Sequence, residues 1–67
     1  MDSMSIKMMR LRFENNLTIK EAAEKLGISP RTYSNYEKGR NRIPLKTFMN
    51  ICMLYHVSAD DLLGLKQ

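Results

Sequence analysis

Sixty-seven residues, 27% of them charged and 43% hydrophobic, leave room for one small domain spanning 1–67 and one modest core. The single cysteine, Cys52, excludes an internal disulfide and any multi-cysteine metal site, and fits a reducing cytoplasm. The start, Met-Asp-Ser-Met-Ser-Ile-Lys, is too polar for a signal peptide, and no apolar run approaches membrane-spanning length. The formal charge of +4 is localised. Between residues 31 and 46, Arg31, Lys38, Arg40, Arg42 and Lys46 face only Glu37, so this stretch carries the whole excess.

Periodicity and end signals predict five helices and no strands, an all-α chain. The first helix covers about 4–14, with Ser3 as a possible cap. Met4, Met8 and Leu11 share its inner face; Ile6, Met9 and Phe13 form a second apolar row on the opposite side. Thr18 and Glu21 make a capping box that opens a second helix at about 19–26, and Gly27 follows where a left-handed residue is wanted. Ser29 and Pro30 open a third helix over about 30–38, closed by Gly39. After Pro44 a fourth helix runs over about 45–55, with Leu45, Phe48, Ile51, Cys52 and Tyr55 along its core face. Ser58 and Asp61 repeat the capping-box spacing ahead of a fifth helix at about 59–64. Leu17, Ile28, Val57 and Leu62 stand at element ends, where they close the core. Met8, Met49 and Met53 read as flexible gap-fillers.

The segment 18–39 is thus two short helices joined by a tight glycine turn, with a basic loop after the second. Small Ala23 stands where the two helices approach closely, and Ala22, Leu26, Ile28, Tyr33 and Tyr36 are the apolar positions that lock the pair. Leu11-Arg12, Leu17-Thr18, Ala23-Glu24-Lys25-Leu26-Gly27-Ile28-Ser29, Tyr36-Glu37-Lys38-Gly39, Ile43-Pro44 and Val57-Ser58 occur in order and in register. With these stretches the chain resembles the phage-repressor/Cro-like (XRE-type) helix-turn-helix family over roughly residues 4–64. The resemblance implies a compact five-helix repressor-like domain that binds double-stranded DNA, with the third helix in the major groove. It implies a small transcriptional regulator, a repressor by analogy, in the cytoplasm of a bacterium or of bacterial mobile-element or phage origin. It also implies a symmetric homodimer on a palindromic operator.

Tyr33, Tyr36 and Glu37 define the inward side of the third helix, and at 100° per residue the outward side carries Arg31, Ser34, Asn35 and Lys38. Arginine can hold a guanine edge and asparagine an adenine edge, each through two hydrogen bonds. Candidate base contacts are therefore Pro30, Arg31, Thr32, Ser34 and Asn35, Pro30 through a thymine methyl, with a phosphate as the alternative partner of Ser34. Phosphate contacts are expected from Lys38, Arg40, Asn41, Arg42 and Lys46, and from backbone amides of Thr18, Ile19 and Lys20 at a helix start. A solvated basic loop is the plain alternative for the charge run.

Arg12 and Glu37 each border core positions, and a buried lone charge is costly, so the two are expected to pair. In the resembled family an arginine of the first helix meets a glutamate at the end of the recognition helix. Three positions depart from that family. Ile19 replaces a phosphate-clamping glutamine, Ala22 replaces a leucine and leaves volume for the tyrosines of the third helix, and His56 stands where glycine often ends the fourth helix.

For self-association the candidate surface is Ile6, Met9 and Phe13, joined by Leu63 and Leu65 of the tail; coverage of the row by the last helix or the tail is the alternative. No Ser/His/Asp or Cys/His set, phosphate loop or carboxylate pair suggests an enzyme, and no metal or cofactor site is expected. A protein-interaction module, antitoxin or controller protein built on the same fold is the competing reading. Operator, regulated genes, and repression against activation are outside what these residues specify.

Overall fold

The computed structural model describes residues 3–64, with the side chain of Ser3 left aside. Five helices follow one another: α1 (Ser3–Glu14), α2 (Ile19–Leu26), α3 (Pro30–Glu37), α4 (Leu45–Tyr55) and α5 (Ala59–Leu63). No strand occurs among the described residues. α1 already includes Ser3, so Ser3 lies within the first turn and does not flank it as a cap.

Local chemistry sets the boundaries. At the start of α2 the capping box closes both ways: the Glu21 N–H donates to Thr18 Oγ1 at 3.1 Å, and the Thr18 N–H donates to the Glu21 carboxylate at 2.9 Å. Ser29 Oγ accepts from the Thr32 N–H and Ser58 Oγ from the Asp61 N–H, which opens α3 and α5.

The C-terminal ends share one device, a left-handed residue whose successor's N–H reaches back five residues. Ile28 donates to the Ala23 carbonyl, Arg40 to that of Asn35, Leu17 to that of Arg12, and Val57 to that of Cys52. The left-handed residues at these four ends are Gly27 (φ 71°), Gly39 (φ 69°), Asn16 (φ 57°) and His56 (φ 55°), and Gly64 (φ 75°) takes the same conformation after α5. At Gly27 a Cβ would meet nothing within 4 Å. Glycine is wanted there for its positive φ, not for space.

The core is built between the five helices: α3 packs on α1 and α2, α5 on α1 and α4, and α2 on α4. Met8, Ala22, Ala23, Tyr33, Ile51 and Leu62 are almost or entirely shielded from solvent, with Tyr36 and Tyr55 nearly so. Leu11, Leu17, Ile28, Phe48 and Val57 pack around them, half-buried. Ala22 and Ala23 are small, so α2 approaches both α3 and α4, its close neighbours.

Three apolar residues of α4 are not in the core. Leu45, Met49 and Met53 are 73%, 55% and 71% exposed, and at i, i+4, i+8 they form an outer row. Periodicity names a face of a helix, not how far the neighbouring helices reach along it. Only from Phe48 onward do α4 side chains of the inner face become covered.

Candidate nucleic-acid interface

α3 rests on the rest of the molecule through Tyr33, Tyr36 and Glu37, all buried. The opposite side is open: Pro30, Arg31 and Lys38 are exposed, and Thr32, Ser34 and Asn35 are half-buried. Arg31 and Asn35 lie one helical turn apart on this open side. The Thr32 hydroxyl accepts from Ser29 Oγ at 2.8 Å, so it is tied into the cap of α3.

Arg12 and Glu37 meet in the interior. Arg12 Nε donates to Glu37 Oε2 at 2.7 Å and Nη2 donates to Oε1 at 3.2 Å, a two-point bond between side chains only 9% and 4% exposed. A third donor, Nη1, reaches the Leu17 carbonyl at 3.1 Å. The bond to Glu37 raises the already high Arg12 pKa. Phe13 lies against the same group, with the guanidinium carbon 4.6 Å from its ring centroid. Ser5, buried on α1, donates to the Tyr36 carbonyl at 3.3 Å. Two α1 side chains therefore hold the C-terminal end of α3. Nothing in the sequence pattern marked Ser5, because an isolated serine on a helix has no spacing signature.

Beyond α3 the chain turns at Gly39 into the basic loop. Lys38, Arg40, Asn41 and Arg42, and Lys46 in the first turn of α4, are all exposed. The loop borders an open depression of about 240 Å³ that Ser5 and Tyr36 also line.

The start of α2 differs from expectation. The Thr18 N–H is not free to hold a phosphate, because it donates to the Glu21 carboxylate. That bond, with the Thr18 hydroxyl, holds the Glu21 pKa below the ordinary carboxylate range. An anion here would meet a carboxylate already in place. Ile19 turns its side chain toward the core, while Lys20 is exposed.

Elsewhere, burial pushes the Cys52 thiol pKa up, the opposite of what a nucleophile needs. No group of His, Cys, Asp and Glu able to hold a metal ion occurs among the described residues. No helix among them is long and apolar enough to cross a membrane.

On the outer side of α1, Ile6 is 42% and Phe13 61% exposed, Met9 is half-buried, and Leu63 of α5 is 47% exposed. Leu65 lies outside the described residues.

Two helices joined by a left-handed glycine, the second offering a polar face beside a cationic loop, are the parts a groove-reading module requires. A model of the helix-turn-helix family matches residues 6–62. The chain belongs to that family. Among curated proteins it is similar to the uncharacterised HTH-type transcriptional regulator YobD of Bacillus subtilis, with 37% identity over 59 residues, 88% of this chain and 53% of YobD. It is also similar to the HTH-type transcriptional regulator ImmR of the same organism, with 39% identity over 62 residues, 92% of this chain and 49% of ImmR. A third, the HTH-type transcriptional regulator AnsR, also from Bacillus subtilis, is 33% identical over 58 residues, 87% of this chain and 50% of AnsR. The chain spans about half the length of these curated relatives. No solved structure matches it. Within this helix-turn-helix, α2 is the supporting helix and α3 the one whose outer face is free.

Proposed function

We propose that the protein binds double-stranded DNA sequence-specifically as a transcriptional regulator, with α3 in the major groove. The observation that carries this reading is the outer face of α3: Arg31, exposed, and Ser34 and Asn35, half-buried, lie on the side away from Tyr33, Tyr36 and Glu37 and run directly into the Lys38–Arg42 loop. Arg31 and Asn35 read base edges, with Pro30, Thr32 and Ser34 beside them. Lys38, Arg40, Asn41, Arg42 and Lys46 hold phosphates, and Lys20 adds a cation near the start of α2. The names of the three relatives support regulation of transcription as the outcome of binding.

The protein acts as a homodimer on a palindromic operator, because one short helix reads only a few base pairs and two-fold pairing doubles the site. The apolar side of α1, Ile6 and Met9 with Phe13, together with Leu63, is the contact we assign. Repression follows if the operator overlaps a promoter. Location in the cytoplasm follows from access to DNA.

The exposed row Leu45, Met49 and Met53 favours a second reading, an interaction module that has kept the fold. The test is selection of bound duplexes from random DNA, followed by retardation with excess competitor. Enrichment of one palindromic site supports a regulator. Binding that any competitor removes, with no enriched site, points to the interaction module.

A further inference from the structure

The core holds a polar pair that the DNA-binding parts do not use directly. Tyr33, at the middle of α3 and fully shielded, and Tyr55, at the end of α4 and nearly so, join hydroxyl to hydroxyl. Burial in the first place, then the partner hydroxyl, drives the Tyr33 pKa far up, and burial raises that of Tyr55, so both are neutral phenols. Phenylalanine would fill the same volume without a polar atom to satisfy. The hydroxyls therefore add a directional constraint rather than apolar burial.

Their place in the fold shows what is constrained. α3 packs closely on α2 and α1, but α4 is not among its close neighbours. The two tyrosines bridge that separation tip to tip, within the same buried cluster. The ties from α1, Ser5 to the Tyr36 carbonyl and Arg12 to Glu37, grip the C-terminal end of α3. Tyr33 lies a turn earlier, flanked by Thr32 and Ser34 and between Arg31 and Asn35 on the other face.

We infer that Tyr55 is a positioning residue for DNA reading: through the Tyr33 hydroxyl it sets the roll of the N-terminal half of α3, and with it the aim of Arg31 and Asn35. The inference rests on the DNA-binding reading above. A helix anchored at one end can pivot about it. A second anchor one turn away, from a different helix, fixes the roll. Side chains that must meet base edges within hydrogen-bond tolerance are sensitive to small rotations.

The test compares the parent with Tyr33→Phe/Tyr55→Phe, which removes both hydroxyls and with them the Tyr33 interaction with Glu37, and with Tyr55→Phe alone, which keeps the Tyr33 hydroxyl beside Glu37. The first readout is the affinity ratio between the best site selected by the parent and a scrambled duplex. We expect the double variant to melt cooperatively and to lose about tenfold or more of this ratio, with scrambled-duplex affinity and salt dependence within twofold of the parent. A ratio within twofold of the parent, whatever the melting temperature, overturns the inference.

The second readout needs no DNA. Backbone amide resonances of Arg31, Thr32, Ser34 and Asn35 should all move in the double variant. Changes confined to residues packed directly on positions 33 and 55 overturn the inference. If the parent prefers no sequence, the DNA-binding reading fails, and the amide resonances decide the positioning role alone. Tyr55→Phe, read by both measurements, takes the place of the double variant should that fail to fold.

Discussion

Arg12 is the residue on which the largest single effect on stability should turn. Its guanidinium spends three donors on Glu37 and the Leu17 carbonyl, inside a site that excludes most water. Replacing Glu37 by alanine leaves that cation buried beside an empty place, a loss on the order of 3 kcal/mol. Denaturant unfolding would read it directly, and a parent-like midpoint would mean that the pair contributes nothing. Arg31 and Asn35 make the opposite case. Both point away from the core, so Arg31→Ala and Asn35→Ala should leave stability nearly unchanged. Each should instead weaken binding to the selected site by roughly 1–3 kcal/mol, and binding to random duplex far less. Equal losses on the two kinds of DNA would remove these residues from base reading.

At the scale of elements, the ends of helices were the most legible part of the sequence, because a cap is local chemistry. Thr18 with Glu21, Ser29 with Pro30, and the glycines at 27 and 39 each fix a boundary through bonds made within a few residues. The capping box predicts a pH dependence with a definite sign. Glu21 has a depressed pKa in the folded state, so its contribution is present above the ordinary glutamate range and is lost as pH falls through the folded value. Thermal melts of the parent and of Glu21→Ala should therefore differ at neutral pH and converge only in acid, once pH has fallen past the ordinary glutamate range and through the depressed folded value. A gap that stays constant would show that the charge of Glu21 plays no part. Less was legible where the answer depends on neighbours distant in sequence. The inner row of α4 is legible from Phe48 to Tyr55, but the exposure of Leu45, Met49 and Met53 is not, since only the packed structure shows where cover ends. Asn16 went the same way, whereas His56 was marked by its place where glycine often ends the fourth helix. Both adopt the left-handed turn usually given to glycine, and both do so because the chain must fold back there. In the candidate interface, the open side of α3 followed from 100° steps. The occupied Thr18 amide needed the actual geometry of the Glu21 carboxylate.

For the whole molecule, charge and shape set the terms on which two copies meet DNA. Four or five phosphate contacts per protomer would make log K fall with log salt at a slope of about −4 per half-site. Arg40→Ala or Arg42→Ala should flatten that slope and weaken all sequences alike; a changed base preference at constant slope would move these residues out of the phosphate set. The molecule measures 32 × 23 × 21 Å, so two copies in contact can place equivalent points one DNA turn, about 34 Å, apart. The surface joining them should be apolar, self-complementary and off the DNA-facing side. Among the described residues Ile6 and Leu63 are exposed and Met9 is half-buried, whereas Phe13 also supports the Arg12 guanidinium. A charge brought to Ile6 or Leu63 is solvated in the monomer and would be desolvated in a two-fold contact, where each copy presents it. Ile6→Glu and Leu63→Glu should therefore keep the parent fold by circular dichroism, sediment as monomers at micromolar concentration, and bind an isolated half-site as the parent does. On the full palindrome they should lose the gain that the second half-site confers. Variants that still self-associate and still gain from the second half-site would place the contact elsewhere, and the exposed row of α4 would be the next surface to charge.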